Sequence, residues 1–233
     1  ASDVYKRQHS CMLNSYARSF VTGLNTKEEI LRGAENDYAV HFFHKRLNDE
    51  AILNAYQAAA EIGLQAGFTS LHTMIGDAEN SINHYELIRD NLNKFSLRFI
   101  LYPQSFNIKA ALDAGASRIG GCILADGSIG SDTAAVSEPY LNSSLYGVLY
   151  QSDEFWMKFT SEASKHQLQV AVHCIGDRAI RQINNVYTKI PNTADLRHQL
   201  IHCEIISDNL VVEILASKAV PVMQPIFVYL WGV

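Results

Sequence analysis

Three apolar stretches of this 233-residue chain each end in a side chain that could bind a metal ion or carry a proton. The three side chains are Asp126, His173 and His202. Imidazole and carboxylate groups are common ligands for zinc and similar divalent ions. A bound divalent ion polarises a carbonyl oxygen and lowers the pKa of water to about 7, which hydrolysis of an unactivated amide or a related C–N bond requires. We therefore expect the three stretches to form strands that meet at one site.

Side chains alternate between the two faces of a strand, and this restricts which other residues can join such a site. Cys122 and Asp126 are four residues apart and share a face, so Cys122 is a candidate third ligand. Each of the two histidines is followed directly by a cysteine, which points the opposite way. The two histidines and the two cysteines that follow them cannot all bind one ion.

Each candidate also has a simpler structural explanation. A histidine at a strand end can be hydrogen-bonded to a loop, although a matched pair on neighbouring strands favours metal ligands for His173 and His202. Cys122 can be a small core residue, and Asp126 can cap a turn or a helix. His72, which closes an earlier apolar run, can contact a substrate or have only a structural role.

Strand-like runs alternate with helical patterns from residue 48 onward. The predicted strands cover residues 68–74, 97–102, 118–125, 168–173, 196–202 and 220–224. Strands separated by single helices are expected to pair in parallel, because a parallel neighbour is reached through a crossover. This order fits a doubly wound sheet or a β/α barrel. Polar residues at the carboxyl ends of successive strands, with no GxGxxG turn, favour the barrel.

We therefore predict an α/β fold, an incomplete (β/α)8 TIM barrel with about six strands present and the first and eighth strands missing. Residues 48–233 are expected to form a partial β/α barrel catalytic domain. Residues 9–47 show no clear period and are interpreted as a cap or insertion segment. Residues 1–8 resemble translated adapter sequence and are treated as non-native, so the chain is expected to be a fragment.

The composition excludes several classes of function. A formal net charge of −5 with scattered Lys and Arg gives no basic stripe for nucleic acid or an anionic membrane. No apolar run approaches the roughly 20 residues of a membrane span. Four cysteines without framework spacing, and no signal-peptide pattern, indicate buried thiols in a cytoplasmic protein. We expect a small-molecule substrate, and the sequence is compatible with a homo-oligomer.

Several longer motifs resemble one known family. They are residues 119–135 (IGGCILADGSIGSDTAA), residues 170–179 (VAVHCIGDRA), His202 and residues 223–225 (MQP). Together they resemble the metal-dependent amidohydrolase superfamily, and most closely the branch of amidohydrolase family 3 that contains the N-substituted formamide deformylases. The resemblance begins at about His9, where the pattern HSxxxNSxA is similar to the cap segment of that branch.

This resemblance implies a β/α barrel with a small β-sandwich built from both chain ends, which this chain is expected to lack. It also implies one or two divalent ions, usually zinc. In relatives these are held by an HxH pair on the first strand, a bridging group on the fourth, histidines on the fifth and sixth, and an aspartate on the eighth. His173 and His202 match the fifth- and sixth-strand ligands. Cys122 stands where many relatives have the bridging lysine.

The sequence departs from the family pattern in several places. Cysteine at position 122 is incompatible with a lysine-carbamate bridge and favours a single metal or a thiolate-assisted site. Asp132 replaces the usual arginine of a GSRT motif, and Ile201 replaces the usual acid of an IEH motif. The first-strand HxH pair and the eighth-strand aspartate, which is the expected general base, are not found in the sequence.

The resulting hypothesis is metal-dependent hydrolysis of a carbon–nitrogen bond other than a peptide bond, in an amide or N-substituted formamide, through metal-activated water. His173, His202 and Cys122 would hold the ion, and Asp126 would orient groups at the rim as a catalytic residue. The candidates for substrate contact are His9, Asn14 and His72. Two alternatives remain: a catalytically incompetent fragment of such an enzyme, and a metal-free α/β protein that binds a small molecule.

Overall fold

The computed structural model describes most of the chain. The described residues are 5–7, 10–24, 29–76, 82–141, 143–191 and 193–231. The chain divides into two compact units, residues 1–59 and residues 60–233. Each unit has its own sheet structure and its own buried side chains.

The first unit contains a small antiparallel sheet. Its elements are the strands β1 (Tyr5–Arg7), β2 (Ser10–Met12) and β3 (Ile30–Arg32), in the sheet order β1-β2-β3, and the helices α1 (Ser15–Phe20), α2 (Gly33–His44) and the first part of α3 (Asp49–Gln65). Residues 9–47, in which the sequence shows no clear period, thus contain regular elements. Strand β1, within the segment treated as non-native, pairs with β2.

The second unit is a mixed α/β fold with parallel sheets. Its strands are β4 (Ser70–Ile75), β5 (Arg98–Pro103), β6 (Arg118–Leu124), β7 (Gln169–Cys174), β8 (Gln199–His202) and β9 (Val220–Val222). Strands β4 and β5 form one parallel ladder, and the other four form a second in the order β6-β7-β8-β9. The predicted strands and their parallel pairing are therefore confirmed for these pairs.

Helices connect these strands. They are α4 (Asn83–Asp90), α5 (Ile108–Asp113), α6 (Asp153–Lys165), α7 (Asp177–Lys189), α8 (Thr193–Leu196), α9 (Asp208–Ser217) and α10 (Ile226–Trp231), with 3-10 turns at Leu92–Lys94 and Ile129–Ser131. The short helices α8 and α10 were not predicted from the sequence. Both lie beside apolar strand-like runs, where a single helical turn leaves little periodic signal.

The residues at the beginning of helix α6 show how the local sequence fixes where this helix starts. Ser152 precedes it, and the Ser152 hydroxyl accepts a hydrogen bond from the backbone amide of Phe155 at 3.2 Å. Asp153 and Glu154 lie in the first turn, where the helix dipole favours negative charge. Trp156 is completely buried, and full burial of a large apolar side chain contributes about 2–3 kcal/mol.

The two parallel ladders meet at β5 and β6, which are not paired as a ladder in the described structure. Side chains bridge this seam instead. The carboxamide of Gln104 donates to the carbonyl oxygen of Cys122 at 3.1 Å, and the hydroxyl of Tyr102 donates to Oε1 of Gln169 at 3.0 Å. One face of both ladders shares a buried cluster, which comprises Tyr102, Ala171 and Ile201, with Met74, Ile100 and Val222 packed against it.

None of the four cysteines forms a disulfide, and Cys11, Cys174 and Cys203 are buried. Within the described part of the chain, every helix is too short or too polar to cross a lipid bilayer.

Candidate functional site

Two imidazole rings converge at the carboxyl ends of β7 and β8. The ring centroids of His173 and His202 are 4.7 Å apart, and the ring planes are inclined at 75°. His173 is completely buried and His202 is half-buried. Parallel strands bring their carboxyl ends to one edge of the sheet, which explains why two runs 29 residues apart deliver histidines to one place.

The close approach of the two rings does not follow from the pairing of β7 and β8 and the alternation of side chains along a strand. His173 lies opposite Ile201, and His202 lies opposite Cys174, so regular pleating would turn the two rings to opposite faces. The backbone of His202 instead has φ 73°, and that of Cys203 has φ 51°. Two consecutive left-handed residues other than glycine cost about 1–2 kcal/mol each. This strain breaks the alternation and allows His202 to face His173.

The two nitrogens of the His202 ring have different environments. Nδ1 lies 2.8 Å from Oε1 of Gln224, the second residue after β9. Nε2 is buried and has no hydrogen-bond partner among the described residues. A buried imidazole nitrogen is normally hydrogen-bonded, so this atom is available to bind a ligand.

His173 is held by the loop that follows β6. Its Nε2 lies 2.9 Å from the carbonyl oxygen of Gly127 and 3.7 Å from Oδ1 of Asp126. A carbonyl oxygen can only accept, so Nε2 carries the proton and Nδ1 carries the lone pair of the neutral ring. The loop therefore fixes which nitrogen of His173 can act as a metal ligand.

Asp126 is completely buried at the start of this loop. Its carboxylate accepts hydrogen bonds from the backbone amides of Ile175 at 2.9 Å, Gly176 at 2.7 Å and Ala135 at 2.9 Å. Burial raises the pKa of Asp126 to about 6, and these backbone hydrogen bonds act in the opposite direction. The carboxylate thus ties the loop after β6 to the loop after β7. The structure adds this positioning role to the predicted role at the rim.

The structure does not gather Cys122 into a three-residue ligand set. Gly120 lies opposite Ala171 and Leu124 lies opposite His173, so β6 contains two extra residues between these pairs. Cys122 is in this bulge, where simple alternation does not hold. Among all residues that the structure describes, no three His, Cys, Asp or Glu side chains are grouped so that they could hold a metal ion.

Two of the predicted substrate contacts, His9 and Asn14, belong to the N-terminal part of the chain. His9 lies outside the described residues. Asn14 belongs to the first unit, where its side chain accepts from the amide of Ala17 at 2.7 Å and caps α1. Their roles stay predictions.

His72 lies inside β4 rather than at its end, contrary to the sequence interpretation. Its Nδ1 is 3.1 Å from the hydroxyl of Tyr102, which in turn donates to Gln169 at the beginning of β7. His173 is four residues further along β7, and four residues of a strand span about 13 Å. This network therefore joins His72 to the opposite end of the strand from the histidine pair.

His198 lies between polar residues in the sequence, which is typical of a solvated side chain, but the structure buries its ring. Its ring is completely buried, accepts from the backbone amide of Val170 at Nδ1 at 3.0 Å, and lies 3.0 Å from the hydroxyl of Ser164 at Nε2. Burial lowers the pKa of His198 to about 4, so the ring is neutral. The polar residues around His198 gave no sign that its ring is hydrogen-bonded to the beginning of β7.

Two residues near the histidine pair were not named as candidates from the sequence. Gln224 contacts Nδ1 of His202. The sequence signal that could have identified Gln224 was the MQP motif, to which it belongs. Glu204 lies close enough to interact electrostatically with His202; burial raises the pKa of Glu204, and His202 opposes this rise. The sequence signal for Glu204 was its spacing of two residues from His202, because residues two apart in a strand share a face.

Comparisons with known proteins identify one matching family model and two sequence relatives. A family model described as "Amidohydrolase family" matches residues 9–232. A Bacillus subtilis (strain 168) protein named "Putative amidohydrolase YtcJ" is 35% identical over 108 residues, which are 46% of this chain and 20% of that protein. The Arabidopsis thaliana protein LONG AFTER FAR-RED 3 is 35% identical over 83 residues, which are 34% of this chain and 14% of that protein.

Two solved structures share the fold. An uncharacterized metal-dependent hydrolase from Pyrococcus horikoshii OT3 superposes with a TM-score of 0.76 at 21% identity, covering 94% of this chain and 47% of its own. A second, from Pyrococcus furiosus, gives a TM-score of 0.74 at 21% identity, covering 96% of this chain and 50% of its own. The chain thus spans about half the length of these structures and a smaller share of the two sequence relatives.

Proposed function

Because the chain belongs to the amidohydrolase family, we propose that it contributes to a metal-dependent hydrolase that cleaves carbon–nitrogen bonds other than peptide bonds. The proposed substrate is a small-molecule amide, and the proposed cofactor is a divalent ion, with zinc as the first candidate. The observation that carries this proposal is the 4.7 Å approach of the His173 and His202 rings. Strands β4 to β9 would then be successive strands of a (β/α)8 barrel with this pair at its carboxyl-terminal rim.

Two ring nitrogens at this rim support the proposed binding of a divalent ion. His202 has a buried Nε2 with no hydrogen-bond partner in the described structure, and His173 has its lone pair on Nδ1. Neutral imidazole is the form that binds zinc, and each ring is oriented by a partner at its other nitrogen. When bound, the ion would polarise a substrate carbonyl and lower the pKa of water.

The residues of this chain would orient the ligands around that chemistry. The carbonyl of Gly127 fixes the ring of His173, and the carboxylate of Asp126 holds the loop that carries this carbonyl. The backbone strain at His202 turns its ring into the site. These contacts support preorganised ligands, because rigid positioning before binding reduces the free-energy cost of binding.

Within the family, we favour the branch with N-substituted formamide deformylases. Support comes from the motifs at residues 119–135 and 170–179, whose loops form the surroundings of His173. The formamide carbonyl would be the group that an ion at the histidine pair polarises. Cys122 remains a proposed further ligand.

A second candidate function is weak metal binding without turnover. It is favoured by the lack of any three-residue ligand group among the described residues. Two imidazoles leave a divalent ion with open positions, whereas catalytic zinc sites usually have three protein ligands.

Zinc titration of this chain, followed by formamide and amide hydrolysis assays, tests both candidates. We expect one zinc equivalent to bind, and we expect His173→Ala, His202→Ala and their double variant to lose it. His166→Ala is the matched control, since His166 is exposed on the surface at the end of α6 and should leave zinc binding unchanged. Equal zinc binding by the double variant and the wild type would refute the metal site. Zinc binding without hydrolysis would favour the second candidate.

A further inference from the structure

We propose that Gln224 is a positioning residue that sets the proton of the His202 ring on Nδ1 and thereby presents Nε2 as the metal-binding atom. The importance of this arrangement for metal binding rests on the proposed function. The tautomer itself is a property of the metal-free protein and can be tested without any ion.

The orientation of the Gln224 side chain follows from its two contacts. Its Nε2 donates to the carbonyl oxygen of Val222 at 3.2 Å, and its Oε1 lies 2.8 Å from Nδ1 of His202. A carbonyl oxygen cannot donate, so the amide nitrogen of Gln224 must face Val222 and the amide oxygen must face the ring.

This orientation decides the protonation state of the two ring nitrogens. An amide oxygen only accepts hydrogen bonds, so a 2.8 Å contact requires a proton on Nδ1 of His202. The neutral ring then carries its lone pair on Nε2. That atom is the one buried without a hydrogen-bond partner in the described residues.

The ring is also restricted in its rotation. The aromatic ring of Phe227, in α10, stacks alongside His202 with centroids 6.4 Å apart and planes inclined at 22°. The His173 ring also packs against the His202 ring, with the two ring planes inclined at 75°. A half-turn of the His202 ring would place carbon atoms against the Gln224 oxygen and lose that hydrogen bond.

A merely structural role for Gln224 predicts different behaviour. If the residue only supported the end of β9 through Val222, its loss would reduce stability without selecting a tautomer. A glutamate at this position would keep an acceptor for His202 but could not donate to Val222. The conservative and the apolar variants therefore separate the two roles.

The decisive experiment is 15N NMR of the histidine rings in the metal-free protein at neutral pH. The proteins compared are the wild type, Gln224→Glu, Gln224→Leu and the matched control Gln65→Leu, which changes an exposed glutamine on α3. The His202 signals are assigned by their loss in His202→Gln. Zinc affinity is then measured for the same proteins by competition with a chromophoric chelator.

We expect the Nδ1-protonated tautomer of His202 in the wild type, in Gln224→Glu and in Gln65→Leu, and a mixture or the other tautomer in Gln224→Leu. Loss of a partner that orients a metal ligand typically lowers metal affinity by about 10- to 100-fold, and we expect this for Gln224→Leu with recovery in Gln224→Glu. An Nε2-protonated wild-type ring, or an unchanged tautomer in Gln224→Leu, overturns the proposal. A wild type that binds no zinc but shows the expected tautomers contradicts the proposed function and leaves Gln224 as the positioning residue.

Discussion

Acid should destabilise the second unit through one buried ring, His198. In the folded chain this ring accepts a hydrogen bond from the backbone amide of Val170 and is completely buried. A proton on Nδ1 would remove that acceptor and place a charge in an apolar environment. The folded protein therefore resists protonation of His198, whereas the unfolded chain does not.

The magnitude and the sign follow from the two pKa values. The pKa of His198 falls from 6.5 to about 4 on burial, and a shift of that size corresponds to about 3 kcal/mol. Between these values the unfolded chain binds more protons than the folded chain, so stability rises with pH. The contribution is fully present above the unfolded pKa and is lost as pH falls through this window.

Urea unfolding followed by the fluorescence of Trp156, which is buried in the same unit, measures this effect. We expect His198→Asn, which cannot titrate, to show a pH dependence smaller than that of the wild type by about 3 kcal/mol over the window. The control His166→Asn removes an exposed ring and should keep the wild-type dependence. Equal pH dependence in the His198→Asn protein and the wild type would refute the reasoning.

Two further substitutions test the loops beside the histidine pair. Asp126→Asn puts an amide donor against a backbone donor and should lower the free energy of unfolding by about 3 kcal/mol in a denaturation assay. In the same assay, the control Asp132→Asn changes an exposed residue and should alter this free energy by less than about 0.5 kcal/mol. Gly176→Ala places a Cβ only 2.0 Å from the carbonyl oxygen of Ala135 and should cost about 2 kcal/mol or more. Gly130→Ala meets no atom within 4 Å and serves as its control; equal melting temperatures for the two alanine variants would contradict the close packing.

The sequence was informative where periodicity and strand ends carry the signal. Apolar runs that end in His173 and His202 predicted strands, and parallel pairing of such strands brings their ends together without any knowledge of register. The same reasoning predicted Asp126 as a polar residue at the rim. It could not reveal that three backbone amides hold the carboxylate, because those contacts come from loops distant in sequence.

The departures from simple sequence rules have local causes. The prediction for Cys122 assumed that side chains alternate regularly along β6. Gly120 and Gly121 both have positive φ and accompany a bulge that shifts the pairing of β6 with β7. His198 looks polar in sequence, yet it is buried because its two ring nitrogens are both satisfied. The left-handed backbone of His202, on which the approach of the two rings depends, has no sequence signature of its own.

The seam between β5 and β6 has a consequence for how precisely the two imidazoles are spaced. His173 and His202 belong to one continuous backbone ladder, whereas β4 and β5 are attached to it by side chains such as Gln104. We therefore expect local opening at the seam to displace the smaller ladder before it changes the distance between the two rings. Amide protons flanking the seam should accordingly exchange with solvent before those of β7.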